Sequence, residues 1–320
     1  MTCIIGTDEA GYGPNLGPLV IASTSWRVAS SPGDDRWRRV WDFLAGEWTD
    51  TPAPLFGDSK SLYTSGGSWA GLERGLFAAL ATLPDKLGSV ESWRTLLARL
   101  APECLAEVDD QPWYAPFDCP LPRDVPAAAI DAARQELAST LAKMGIQLTS
   151  IRVRVVFPAA FNARVNESDS KGTALSLWTL ELVRDLMADA DSEPVMVHCD
   201  KHGGRNRYAA LLQTVFPESW IEVQDESRQR SLYRWGTSPR RVEAQFAAKG
   251  ERFLPSALAS MAAKYVRELA MCAWNDYWQR QIPGLRPTAG YPVDARRFAD
   301  EIRVTQQNLG IADNLIWRTR

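Results

Sequence analysis

No stretch of this 320-residue chain reaches the roughly 20 consecutive apolar residues that a membrane-spanning helix requires. Cysteine is scarce and unpatterned: five residues, at positions 3, 104, 119, 199 and 272, with no Cys-x-x-Cys pair. Such a set reads as the reduced thiols of a cytosolic protein rather than a disulfide framework. Met1-Thr2-Cys3 leads straight into an apolar segment without a basic region, so a secretory signal is not expected. Neither sign of charge dominates. The 36 Lys and Arg stand against 39 Asp and Glu, a net charge of -3. That balance excludes a surface coated in positive charge, although not a local basic groove. Internal repeats and low-complexity tracts are also missing. What is present, 45% apolar and 23% charged residues, is the composition of a soluble globular protein of one large or two smaller domains.

The order of elements points to α/β architecture. A short apolar strand at Ile4-Ile5 runs into Asp8-Glu9 and the turn Gly11-Tyr12-Gly13-Pro14, and a second strand follows over 17–28. Strands this close in sequence suggest antiparallel pairing. Helical spacing predicts helices over 36–45, 69–83, 126–144, 172–187 and 255–281. Strands are expected at 151–157, which alternates cleanly, at 194–199, a continuous apolar run of the kind found in a buried central strand, and at 241–247. Residues 85–126 differ from the rest. They are proline-rich and hold eight acids against four bases, and they read as an inserted acidic subdomain within a domain made of 1–84 and 127–320.

Three carboxylate positions fall at strand ends. Asp8-Glu9 precede a glycine turn, Asp200 ends the apolar strand, and Glu251 follows the strand 241–247 across Lys249-Gly250. Open α/β sheets place ligands at the carboxyl ends of their strands, and clustered acids suit hard divalent cations. On the residues alone, a solvated turn at Asp8-Glu9 and a helix cap at Asp200 fit as well.

These residues carry a family pattern. The segment Gly6-Thr7-Asp8-Glu9-Ala10-Gly11-Tyr12-Gly13-Pro14, with Gly17-Pro18-Leu19-Val20 after it, resembles the opening motif of the type 2 ribonucleases H, ribonucleases HII and HIII. Asp58-Ser59-Lys60-Ser61-Leu62, the strand 195–200, Lys249-Gly250-Glu251, the helix start 257–264 and Gly290-Tyr291 resemble later family motifs in the same order. The resemblance implies an RNase H-like fold, a mixed sheet with antiparallel first three strands, flanked by helices. It implies that Asp8, Glu9, Asp200 and Glu251 are catalytic and hold two Mg2+ or Mn2+ ions. The implied reaction is endonucleolytic hydrolysis of RNA in RNA/DNA hybrids, or at ribonucleotides in DNA, leaving 3'-hydroxyl and 5'-phosphate ends. A binding protein on the same fold with little catalysis, or a nuclease acting on another DNA substrate, are the alternatives.

Substrate-facing candidates follow. In the family's ribonuclease HII members an Arg that helps hold the nucleic-acid backbone stands where this chain has Tyr12, while the Gly11-Tyr12-Gly13 backbone is implied to read the 2'-hydroxyl that marks RNA. Tyr12 offers a stacking face instead of a cation. Lys60 is a candidate phosphate contact or a partner of Asp58, Lys201 and Arg205 are candidate phosphate contacts or solvated charges at a surface helix start, and Tyr291 resembles the family tyrosine beneath the ribonucleotide sugar. His202 is either a proton donor to the leaving oxygen or simply an exposed histidine; His198, within an apolar strand, reads as a core residue. The arginines of 228–241, interleaved with Tyr233 and Trp235, fit either a stacking surface or a solvated hairpin with snorkelling side chains. Lys264 is expected near the acids, and Asp169-Ser170-Lys171 reads as a helix cap. Residues 200–241 hold eight bases against five acids. The near-zero average charge therefore resolves into a mildly basic face around an acidic site, with the acidic 85–126 segment as an appendage or gate.

Overall fold

The computed structural model describes residues 1–46, 55–57, 59–63, 67–84, 89–190, 193–248 and 253–319. Asp58, the Lys60 side chain and Lys249-Gly250-Glu251 lie outside the described residues.

One mixed seven-stranded sheet organises the chain, in the order β3-β2-β1-β4-β7-β6-β5. Strand β1 (Thr2–Ala10) pairs antiparallel with β2 (Leu19–Val28), and β2 pairs antiparallel with β3 (Ile146–Val156). Strand β1 is parallel to β4 (Val195–Asp200), which is parallel to β7 (Val242–Ala247). The expected antiparallel first three strands are therefore present. A hairpin of β5 (Glu222–Glu226) and β6 (Arg230–Trp235) extends the far edge through antiparallel pairing with β7.

Both faces of the sheet are covered, and period-two alternation sorts the side chains between them. On β1, Ile4 joins the core beneath α10 (Leu254–Gln281), while Cys3 and Ile5 join the opposite core, to which α8 (Lys171–Ala188) and α9 (Ala209–Val215) contribute. On β2, Val20 and Ala22 face the first core, whereas Leu19 and Ile21 meet Phe161 of α7 (Pro158–Ser168) and Trp178 of α8. Such two-sided burial explains why β4 reads as a continuous apolar run. Strand β3 begins five residues before its clean alternation. A register irregularity opposite Ser25 and Trp26 breaks the period, and Thr149 Oγ1 there donates to the Ser25 carbonyl at 2.8 Å.

The α10 face also carries α3 (Ala70–Leu80) and α6 (Ala127–Met144), the latter ending at Gly145 in the left-handed conformation. Segment 85–126 does not stand off as an appendage. Its helix α4 (Trp93–Leu100) supplies Trp93, Leu96 and Leu97 to this core, and Trp113 packs edge-on against Trp274 of α10, centroids 4.7 Å apart. Of its described acids, Glu91, Glu103, Asp109, Asp110, Asp118 and Asp124 are exposed, while Trp93, Leu96 and Trp113 are buried in the main core.

Fully buried Glu73 of α3 closes this region. Its carboxylate accepts the backbone N–H groups of Arg123, Asp124 and Val125 at 2.6, 2.8 and 3.1 Å and the Tyr265 hydroxyl at 2.7 Å. Removing the acceptor strands these donors in a water-poor interior. Glu73→Ala is expected to cost on the order of 3 kcal/mol, read as a lowered urea midpoint with an unchanged slope.

Candidate active site

The site begins with a close approach of backbones. A Cβ on Gly6 would lie 2.3 Å from the Pro255 carbonyl carbon and 2.4 Å from the Ser256 nitrogen, so glycine is what lets the first turn of α10 rest on β1. Two hydrogen bonds secure it. Thr24 Oγ1 donates to the Pro255 carbonyl at 2.7 Å, and Ser256 Oγ donates to the His198 carbonyl at 3.3 Å. The parallel register pairs Gly6 with His198 and Thr7 with Cys199, so the next residues of the two strands are Asp8 and Asp200. Ile4 packs on the α10 side and His198 stacks on Phe253 at 4.2 Å; by alternation Asp8 and Asp200 share that face.

A pocket of about 250 Å³ lies there. Asp8, Glu9 and Asp200 line it, together with the Gly11-Tyr12-Gly13 turn and Tyr291. Its floor is a stripe of α10, Ser260, Lys264 and Arg267, at the spacing that puts residues on one helical face. Ser59 Oγ, 2.9 Å from Ser260 Oγ, closes one side. Three of the four acids expected at a metal site thus share one cavity, and the fourth, Glu251, is outside the described residues. Among the described residues no three His, Cys, Asp or Glu side chains form a group close enough to hold a metal ion. The donor chemistry of the pocket nevertheless fits a hard divalent cation, because carboxylate oxygens are the ligands it takes.

Cations stand around the acids in ordered positions. Lys264 Nζ is 2.8 Å from Glu268 and lies over the Tyr63 ring, and buried Arg267 shares Glu268 at 3.5 Å while donating to the Ala289 carbonyl at 3.1 Å. Tyr12 is half-buried. Lys171 Nζ sits 4.4 Å from its ring centroid, and a Cβ on Gly203 would come within 3.0 Å of its hydroxyl. Burial, then Glu9, raises the Tyr12 phenol above its ordinary pKa, with Arg205 acting the other way. Arg205 donates to Thr173 Oγ1 at 2.6 Å, beside the α8 start that Ser170 caps through the Thr173 N–H. Tyr291 is 55% exposed, its ring 3.6 Å from where a Gly13 Cβ would lie. Gly290, at φ +82°, accepts the Asn15 N–H at 2.7 Å and fixes this step against the turn.

Other candidates lie elsewhere. Lys201 is turned to the β5–β6 hairpin, where Nζ donates to Asn206 Oδ1 and the Ser227 carbonyl, both at 2.7 Å. His202 is not exposed. It is buried, its Nδ1 2.9 Å from Ser176 Oγ, and burial followed by Arg205 pushes it down to about 3, which leaves it neutral and unsuited to protonating a leaving group. His198 is a core residue pushed down by burial to about 4. Tyr233 and Trp235 are buried and offer no stacking surface; Arg234 pairs with Glu243 at 2.7 Å and Arg230 with Asp225 at 3.3 Å, the solvated-hairpin arrangement. Ser59, Ser260 and Arg267 were missed by sequence reasoning. The four-then-three spacing of Ser260, Lys264 and Arg267 was the signal that would have found two of them.

No family model matches the chain, and no curated protein does. Solved structures do. The chain is similar to type 2 ribonucleases H over nearly its whole length. Ribonuclease HII in complex with PCNA from Archaeoglobus fulgidus is 15% identical at a TM-score of 0.41, covering 99% of this chain and 94% of that one. Ribonuclease H2 from Pyrococcus horikoshii is 14% identical at 0.41, covering 98% and 92%. Bst-RNase HIII in complex with Mn2+ is 16% identical at 0.40, covering 99% and 66%. At these values the likeness carries no argument about activity, which has to come from the residues of the pocket.

The Gly6 contact has a direct consequence. Gly6→Ala pushes a methyl into backbone on a neighbouring element that cannot step aside, and is expected to destabilise the fold by about 2–3 kcal/mol, measured by thermal or urea unfolding beside Ala10→Gly as a control on the same strand.

Proposed function

We propose that this protein is a metal-dependent endoribonuclease that hydrolyses RNA in RNA/DNA hybrids, or at ribonucleotides embedded in DNA, leaving 3'-hydroxyl and 5'-phosphate ends. The observation that carries the reading is the gathering of Asp8, Glu9 and Asp200 with the Gly11-Tyr12-Gly13 turn and Tyr291 around one pocket. A lone Asp-Glu turn and a lone helix cap have no reason to meet there.

Asp8, Glu9 and Asp200, with Glu251, are the residues that would hold Mg2+ or Mn2+. Two such ions, when bound, supply Lewis acidity toward the phosphodiester and an activated water. Lys264 and Arg267, on the same pocket wall, offset part of the mutual repulsion of the acids. In this reading the turn backbone meets a 2'-hydroxyl, the group by which RNA differs from DNA, and the exposed Tyr291 ring across from Gly13 is the sugar-stacking face. Tyr12 presents part of its ring at the mouth, with Lys171 and Arg205 beside it. Positive charge is thereby restored near the turn without a cation at position 12. Nucleic acid is the partner this arrangement suits. Among the described residues no helix is long and apolar enough to cross a membrane.

The test is cleavage of an end-labelled RNA/DNA hybrid, and of a DNA duplex with one ribonucleotide, in Mg2+, Mn2+ and EDTA. Cleavage is expected with either cation and not with EDTA. Asp8→Asn is expected to lower the rate on the order of a hundredfold or more, since even outer partners of metal ligands contribute ten- to a hundredfold. A folded protein that cuts neither substrate in either cation would overturn the proposal. Tight, metal-independent hybrid binding in that protein would point to a binding role.

A further inference from the structure

A second buried arginine stands behind the turn. Arg318 is 1% exposed, and its Nη2 donates to the Gly11 carbonyl at 2.6 Å and to the Pro14 carbonyl. It belongs to a short strap. Trp317 forms an antiparallel bridge with Leu16, the Arg318 N–H donates to the Asn15 carbonyl at 2.9 Å, and Asn15 Nδ2 donates back to the Arg318 carbonyl at 3.0 Å. Asn162 of α7 holds both sides of the strap. Its Nδ2 donates to the Trp317 carbonyl at 2.8 Å, and its Oδ1 accepts the Thr319 N–H at 2.7 Å. The guanidinium lies 4.8 Å over the Phe161 ring.

This placement is costly. Burial and then nearby Arg267 both act against the Arg318 charge, and no carboxylate among the described residues pairs with it. Buried cations are retained where carbonyls or acids hold them, and here the carbonyls belong to the motif turn. Fixing those carbonyls fixes the amides on the other side of each peptide plane. The Asn15 N–H, opposite the Pro14 carbonyl, is already used by Gly290. The Tyr12 N–H lies opposite the Gly11 carbonyl, which the strap grips. Gly11, Tyr12 and Pro14 line the pocket, whereas Arg318 is not among its lining residues. Gly11, at φ +87°, packs over Arg267, whose Nε would be 2.3 Å from a Cβ there. One arginine beneath Gly11 and another bonded to its carbonyl both restrict the orientation of this peptide.

We propose that Arg318 is a positioning residue for ribonucleotide recognition: by holding the Gly11 and Pro14 carbonyls it presents the Tyr12 amide to the 2'-hydroxyl of the substrate. The assignment rests on the ribonuclease reading above. Arg318 itself touches no substrate.

The test measures affinity for an RNA/DNA hybrid and for the DNA duplex of the same sequence, using the full chain in an Asp8→Asn background that leaves the duplexes uncut. Arg318→Met is expected to lower the hybrid-to-DNA affinity ratio about fivefold or more, as loss of one well-placed hydrogen bond does. DNA affinity is retained, and amides of residues 11–16 exchange faster while those of α10 do not. Arg318→Gln, shorter and uncharged and so a poorer match for the two carbonyls that Nη2 alone now serves, is expected between the two. A folded Arg318→Met protein with an unchanged ratio overturns the inference. Should the Met variant fail to fold, the Gln variant decides: a lowered ratio supports the role and an unchanged one overturns it. If the protein with Arg318 intact binds both duplexes equally, the ribonuclease reading falls and this inference with it, an outcome separate from any effect of the substitutions.

Discussion

The contact between Gly6 and the first turn of α10 sets the geometry on which the site depends. A strand and a helix ordinarily meet through side chains, at a separation of about 10 Å. Here the backbones of β1 and α10 touch, because Gly6 carries nothing between them and the turn Pro255-Ser256 occupies the space of its missing Cβ. Thr24 on β2 and the His198 carbonyl on β4 bond the same turn, so three strands agree on where the helix begins. From that fixed start, helical geometry carries Ser260, Lys264 and Arg267 beneath the ends of β1 and β4. The acids reach the pocket by strand alternation and the cations by helical repeat, and the glycine contact brings the two periodicities into phase.

Charge in and around the pocket follows from this arrangement. Lys264 and Arg267 converge on Glu268, which places two cations and one acid just below Asp8 and Asp200. Both histidines near Asp200 are buried and held neutral, so the carboxylates and the cations of α10 dominate the local field. The basic residues after Asp200 divide by role. Arg205 stays near Tyr12, while Lys201 is consumed in tying the strand end to the β5–β6 hairpin. The acidic 85–126 segment, anchored by Trp93, Trp113 and the Glu73 carboxylate, belongs to the scaffold behind the helix. Among its described residues Glu91, Glu103, Asp109, Asp110, Asp118 and Asp124 are exposed, where solvent screens their charge.

Hydrophobic pattern and motif order by themselves determined much of this protein. The β-meander, the central strand 195–200 and the long helix from 255 were legible because each rests on local signals, apolar runs and alternation; the expectation that Asp8, Glu9 and Asp200 meet came from the family resemblance, and the three line one pocket. Strands β5 and β6 were not assigned as strands, the arginines of 228–241 fitting a hairpin only as one of two readings, since neither strand carries a continuous apolar run. Helices α7 and α11 (Pro292–Asn308), whose apolar residues are few, were not assigned either. Only the tertiary structure decided which cations reach the pocket, that His202 is buried, that Lys171 covers Tyr12, and that Arg318 braces a turn some 300 residues earlier. Each of these depends on contacts between elements distant in sequence, and a side chain's charge or aromatic face says nothing about its partner until the sheet has set the distance between them.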